Sequence, residues 1–148
     1  MWMNIISFVL GFVGMELFSI WVHKYLMHGP LWFLHKTHHI KTKGFFELND
    51  SFSAFFGLMA IALIITGFET ELFPLTFVGL GISAYGMLYF IIHDVLIHQR
   101  ITFKWKPVNR YLAAMRNAHR HHHKHIEKNP GESYGLFLFG SKYYKDSK

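Results

Sequence analysis

The chain has 148 residues, of which 51% are hydrophobic, 18% aromatic and only 16% charged. An ordinary soluble domain carries about 25% charged residues, so lipid rather than water is the expected solvent for most of this surface. The absence of cysteine excludes disulfides and thiolate ligation, so any metal must be held by nitrogen and oxygen. The length fits a single domain, 1–148, and no cleavable signal peptide is expected, because no basic stretch precedes the first apolar run.

In chain order, the first apolar run covers 4–22 and is interrupted only by Glu16. It is long enough to cross about 30 Å of hydrocarbon. A basic, histidine-rich region follows at 23–51. The second and third runs, 52–68 and 72–92, carry no charge and are joined by Glu69-Thr70-Glu71, which reads as a hairpin between antiparallel helices. Asn49-Asp50-Ser51 supplies capping side chains before the second run, and Pro74 sits where a helix start tolerates it. A second basic region, 93–148, completes the chain. The expected fold is an all-α membrane protein, a small transmembrane bundle of three spans with a possible fourth, partly embedded helix, under a histidine-rich helical cap.

All fifteen Lys and Arg residues lie in the two basic regions. The positive-inside rule therefore puts both regions, and every histidine, in the cytoplasm, with the hairpin outside. The helical patterns overrun the membrane, to about Met27 and about Ile97, and would lift short stalks into the cap. Gly29-Pro30 is expected to start a new helix at Pro30, and Pro107 another running to about Lys128, stopped by Asn129-Pro130-Gly131. In that last helix Val108, Tyr111, Leu112, Met115, Ala118 and His119 share one face, which suits an interfacial position. Trp32, Phe33, Phe45, Phe46, Trp105, Tyr143 and Tyr144 are expected to form an interfacial aromatic belt.

The histidines repeat one pattern twice: His23-x4-His28 then His35-x2-His38-His39, and His93-x4-His98 then His119-x2-His122-His123. Each i, i+3, i+4 triplet puts three imidazoles on one helix face. Ten of the twelve histidines belong to the pattern; His121 and His125 do not and are expected to be spectators. Ten imidazoles suffice for two metal ions with positions left open for small ligands. Imidazole suits Zn, Cu, Fe and Ni, whereas structural zinc prefers a closed four-ligand shell. A histidine-dominated pair beside lipid points to O2 activation on an apolar substrate. Asp94, next to His93, is placed to orient a ligand ring. Asn49 either caps or lines the site. Glu16, costly inside a span, either serves the metal cap or pairs with a neighbouring helix.

The four boxes, together with Gly14-Met15-Glu16, His23-Lys24-Tyr25-x-Met27-His28-Gly29, Phe46-Glu47-x-Asn49-Asp50, Ala84-Tyr85-Gly86-x-Leu88-Tyr89-Phe90 and His93-Asp94-x-Leu96-x-His98-Gln99-Arg100, resemble the bacterial β-carotene 3-hydroxylases of the membrane fatty-acid-hydroxylase superfamily. The resemblance covers about 12–140; the tail after Gly131 is only similar. It implies a non-haem di-iron monooxygenase of the bacterial inner membrane that hydroxylates C3 of each β-ionone ring, giving zeaxanthin through β-cryptoxanthin. It implies two Fe, with Zn able to take their place on purification, O2 as co-substrate, and a ferredoxin-type electron donor with its reductase. Nucleic acid is no partner. The implied ligands are His23, His28, His35, His38, His39, His93, His98, His119, His122 and His123. The rival expectations are the same chemistry on a fatty acyl chain or sterol, and a non-enzymatic membrane metal-binding or transport protein.

Overall fold

The structure, a computed structural model, describes residues 1–40, 44–102, 106–128 and 131–145. Five α-helices carry the fold: α1 (Trp2–Val22), α2 (Trp32–His39), α3 (Asp50–Glu69), α4 (Phe73–Tyr89) and α5 (Arg110–His123). No strand occurs among the described residues. Three helices are long and apolar enough to cross a membrane, Trp2–Met27, Asp50–Glu69 and Phe73–Ile97. Each extends past the apolar run expected for it, and the ends expected at Met27 and Ile97 are the ends observed.

α1 and α3 both pack against α4, which forms the middle of the bundle. The α1–α4 crossing is close because glycines meet backbone: a Cβ on Gly81 would collide with the Phe8 carbonyl oxygen, and one on Gly11 with that of Val78. Small residues at such crossings are how apolar helices associate in lipid, where no hydrophobic driving force acts between them. The outward faces stay apolar, with Leu10, Phe55, Leu58 and Met87 all strongly exposed. The hairpin around Thr70 joins α3 to α4 at one end of the bundle. The C-terminal ends of α1 and α4 and the N-terminal end of α3 gather at the other, where the cap sits.

The overruns are not α-helical. His23–Met27 and Phe90–Ile97 are π-helix, so the winding changes at His23 after α1 and three residues before His93 after α4. The hydrogen bonds that define the change join the box histidines themselves, His28 N–H to the His23 carbonyl (3.0 Å) and His98 N–H to that of His93 (2.9 Å). An α-helix turns about 100° per residue, so residues five apart point roughly 140° away from each other. A turn closed from i to i+5 brings them to one side, and such turns are frequent at functional sites. The x4 spacing demanded this, and an uninterrupted α-helix, the form expected, would have separated the pair.

Two expected helix boundaries change. The first triplet's helix begins at Trp32 rather than Pro30, because residues 28–31 form the turn that reverses the chain out of α1. The second begins at Arg110, where the Asn109 side chain accepts the Leu112 N–H (2.9 Å), and ends at His123, not Lys128. Asn129 and Pro130, given as its stop, lie outside the described residues. Val108 therefore precedes the helix and is 83% exposed. The buried face of α5 is Ala114, Met115, Ala118, His119 and His122. It is covered by the C-terminal segment, whose Leu136 packs with Met115 and Ile92 and whose Tyr143 packs on Ala114 and Ala118.

Candidate metal centre

Two groups of imidazoles converge under the cap. His23, His28, His35, His39 and His122 bring one nitrogen each within 4.8 Å of one another, and His38, His93, His98 and His119 do the same. Each group draws on both halves of the doubled pattern. The groups abut, since the His39 and His123 rings stack 4.6 Å apart. His123 also lies 4.7 Å from His38 and from His98 and 4.5 Å from His119, ring to ring.

In seven of these nine rings the outward nitrogen meets an oxygen. Nδ1 of His23, His28, His39 and His122 each meet a backbone carbonyl, those of Tyr134 (2.8 Å), Lys128 (2.9 Å), His125 (2.9 Å) and Glu132 (2.9 Å). His35 Nδ1 meets Asn49 Oδ1 (2.7 Å), His38 Nδ1 meets Glu47 (3.0 Å) and His93 Nδ1 meets Asp94 (3.1 Å). None of these oxygens can donate, so each Nδ1 carries the proton. A neutral ring protonated at Nδ1 has a bare lone pair at Nε2, and the Nε2 atoms point at one another. His23 to His35 is 3.0 Å, His35 to His39 3.1 Å, His28 to His122 3.3 Å and His38 to His93 3.1 Å. His98 and His119 also approach Nε2 to Nε2, at 2.7 Å. Nε2 of His123 is buried with no hydrogen-bond partner.

Lone pairs facing lone pairs at this range repel unless a cation lies between them, and imidazoles with Nδ1 fixed by an oxygen are the usual metal-ligand arrangement. Protonation offers no alternative. Burial drives the His35 and His98 imidazoles down to about 2, His122 to about 3 and His39 to about 4, with neighbouring imidazoles adding to the effect. The residues therefore fit a metal centre of two adjoining nitrogen-rich positions.

Beyond Asp94, which holds His93 as its position suggested, sequence reasoning did not reach what holds these rings. Arg100 lies among Glu47 (3.0 Å), Asp50 (2.8 Å) and Asp94 (3.1 Å), so one guanidinium fixes the carboxylates behind His38 and His93. The extended tail from Gly131 supplies carbonyls to His23 and His122, and sets the Tyr134 ring 5.3–5.7 Å from those of His23, His28 and His122. Backbone carbonyls leave no mark in a sequence; the clustering of Glu47, Asp50 and Arg100 beside the boxes was the available sign.

The other expected site residues divide. Asn49 makes no capping bond and holds His35 instead. Asp94 holds His93. Glu16 is buried in α1 but does not reach the imidazoles. Its Oε2 accepts from Tyr85 (2.7 Å) and its Oε1 from the N–H groups of Phe137 (2.8 Å) and Leu138 (2.9 Å), which clamps the tail to the bundle. His123, expected as a ligand, is in neither group but lies beside the second; the His121 and His125 side chains are also in neither, although His125 contributes its carbonyl. Of the expected belt, Phe33, Phe45 and Phe46 are exposed, Trp32 packs on His28 and His39, Tyr143 is buried, and Trp105 lies outside the described residues.

Beneath the centre, between α1, α3 and α4, lies a cavity of about 390 Å³. His23, Asn49 and Asp94 border it on the cap side, and Met15, Phe56 and Ile82 are among its apolar lining. Ile61 and Met87, both exposed on the bundle's outer surface, also line it. The cavity therefore joins the lipid-facing surface to the imidazoles.

The fatty acid hydroxylase family profile matches residues 8–141. The chain belongs to that family. Among curated proteins, this hydroxylase-family chain is 41% identical over 142 residues to a beta-carotene hydroxylase of Pseudescherichia vulneris, covering 96% of itself and 80% of that protein. It is 43% identical over 138 residues to a beta-carotene hydroxylase of Pantoea ananas, covering 93% and 77%. A chloroplastic beta-carotene hydroxylase 2 of Capsicum annuum is 46% identical over 131 residues, 85% of this chain and 41% of that longer protein. No solved structure matches the chain. Family membership makes the chain a hydroxylating oxidoreductase.

Proposed function

We propose that this protein hydroxylates C3 of the β-ionone rings of β-carotene, giving zeaxanthin through β-cryptoxanthin. The observation that carries the reading is the cavity, which runs from the lipid-facing surface to the converging imidazoles. The names of the bacterial and plant relatives support the substrate. At about 390 Å³ it lies at the small end of ligand pockets. That suits one ring end of a long hydrocarbon whose remainder lies in lipid along Ile61 and Met87.

His23, His28, His35, His39 and His122 would hold one iron, and His38, His93, His98 and His119, with His123 beside them, the other. The irons, when bound, supply the reductive activation of O2 that turns a ring C–H into C–OH. The balance is R–H, O2, two electrons and two protons giving R–OH and water. The electrons come from a ferredoxin-type donor served by its reductase. The protein's own part is positional. The oxygens at each Nδ1 fix the rings, the apolar lining presents one ring carbon to the centre, and the tail closes over the cap to exclude water. The basic segments beside the histidines support a multi-pass place in a bacterial inner membrane with the centre on the cytoplasmic side.

Expression in a β-carotene-accumulating bacterium, followed by chromatography of its pigments, tests the reading. Zeaxanthin is expected from the native chain, and none from His38→Ala or His122→Ala, with each variant still in the membrane. Unaltered β-carotene from the native chain would overturn the substrate; hydroxylated fatty acids or sterols in those cells would replace it. Normal zeaxanthin from both variants would overturn the ligand assignment.

A further inference from the structure

The partners behind the imidazoles are of two chemical kinds, and the kinds are sorted by group. In the five-histidine group every Nδ1 partner is neutral: four backbone carbonyls and the Asn49 amide oxygen. In the four-histidine group His38 and His93 are backed by the carboxylates of Glu47 and Asp94. Arg100 joins those two carboxylates to each other and to Asp50. Three carboxylates around one guanidinium leave an excess of two negative charges beside the four-histidine group. Among the described residues, no charged side chain is hydrogen-bonded to an imidazole of the other.

We propose that this sorting makes the two metal positions unequal. The four-histidine group is the tighter position, filled first, and the five-histidine group the looser one, filled last and emptied first. The inference rests on the reading of the cap as a two-metal centre and adds which half holds its ion more firmly. Two effects act in the same direction. A carboxylate accepting a hydrogen bond from Nδ1–H makes the imidazole more basic and a better donor to the metal. The surplus negative charge also attracts a dication directly, at a separation where buried charges are poorly screened. Donor count does not offset this, because the unpartnered Nε2 of His123 sits beside the four-histidine group and can make a fifth. Arg100 becomes a positioning residue: its hydrogen bonds and ion pairs go to carboxylates and to no imidazole of either group, and they set where Glu47 and Asp94 hold theirs.

The test is metal binding by the full-length protein in detergent micelles, stripped with a chelator. It is titrated with Co(II), whose visible spectrum follows coordination, and bound metal is counted after dialysis. Two steps of one ion each are expected, separated tenfold or more in affinity. Glu47→Gln and Asp94→Asn should each weaken the first step about 10–100-fold and leave the second in place. Asn49→Ala, which removes the partner of His35, should weaken only the second. A single step taking up two equivalent ions in the native protein overturns the proposal without recourse to any variant. So does a second step that weakens in Glu47→Gln and Asp94→Asn while the first stands. The titration needs neither carotenoid nor electron donor, so its failure is distinguishable from failure of the hydroxylase reading. Binding of no cobalt at all would overturn the metal centre itself.

Discussion

Gly81→Ala is a one-carbon change in the middle of the membrane with a large expected effect at the cap. A Cβ at position 81 would collide with the Phe8 carbonyl oxygen and lie 2.8 Å from the Phe12 amide nitrogen. Ordinary contact between heavy atoms is about 3.5–4.0 Å, so α1 and α4 must part by about 1 Å to admit it. They cannot simply pivot, because Gly11 meets the Val78 backbone nearby on the same seam. The π segment that continues α1 carries His23 of one imidazole group, and the one that continues α4 carries His93 of the other. Parting the helices therefore disturbs the centre as well as the seam. Overpacking of this kind costs about 1–3 kcal/mol, and a misplacement of about 1 Å at a reacting centre costs about 100-fold in rate. The assay is zeaxanthin formed per unit of membrane-inserted protein, with bound metal measured in parallel. Gly14→Ala is the control, since a Cβ there meets nothing within 4 Å, and its rate should stay native. A native rate and native metal content in Gly81→Ala would refute the claim that this seam sets the geometry of the centre.

Other expectations follow from the hydrogen bonds and the burial. His38→Ala and His122→Ala should each abolish zeaxanthin formation and release metal, read by pigment chromatography and elemental analysis. Glu16→Gln should reduce turnover while largely keeping the metal, because the clamp on Phe137 and Leu138 loses its charge, and hydrogen bonds to a charged group are worth about 1.5–3 kcal/mol each. Faster proteolysis of the tail should accompany it, and an unchanged rate with an unchanged digestion pattern would remove the clamp from the mechanism. Chelator-stripped protein should lose stability as the pH falls below about 6.5. His35, His39, His98 and His122 are held below that value in the folded cap, at about 2, 4, 2 and 3. The unfolded cap then binds more protons than the folded one, and the loss continues towards those lower values. A thermal midpoint of the stripped protein that is the same at pH 7.5 and pH 5 would contradict it.

The nine histidines that converge and the three spans were legible because each leaves a periodic mark: a repeated spacing in one case, a nearly uncharged run of membrane length in the other. The winding of the stalks was less so. An apolar run shows that a helix exists, and the extra residue of a π turn hides in the x4 spacing, whose misfit to an α-helix was the only notice of it. The residues that hold the rings were the least legible. Lys128, Glu132, Tyr134 and His125 act through carbonyls, which every residue has, so their side chains say nothing of the role. Glu16 was conspicuous for the right reason, the cost of burying a carboxylate, but what it answers to is the backbone of a tail more than a hundred residues later, which no local pattern encodes.

The π turns also carry a consequence for how such a protein can change. A turn closed from i to i+5 amounts to one residue inserted into an α-helix, and it rotates everything after it by about 100° relative to everything before. In α1 and α4 that phase break falls between the segment that faces lipid and the segment that faces the imidazoles. Below the break, substitutions can reshape the cavity for a bulkier or thinner hydrocarbon. Above it, the donors face a different way from the membrane-facing stripe, so a substitution that reshapes only the cavity lining leaves their angular setting alone, whereas one that parts the α1–α4 seam does not. Deleting a single residue between His23 and His28 would undo this independence, coupling the choice of substrate to the geometry of the metals.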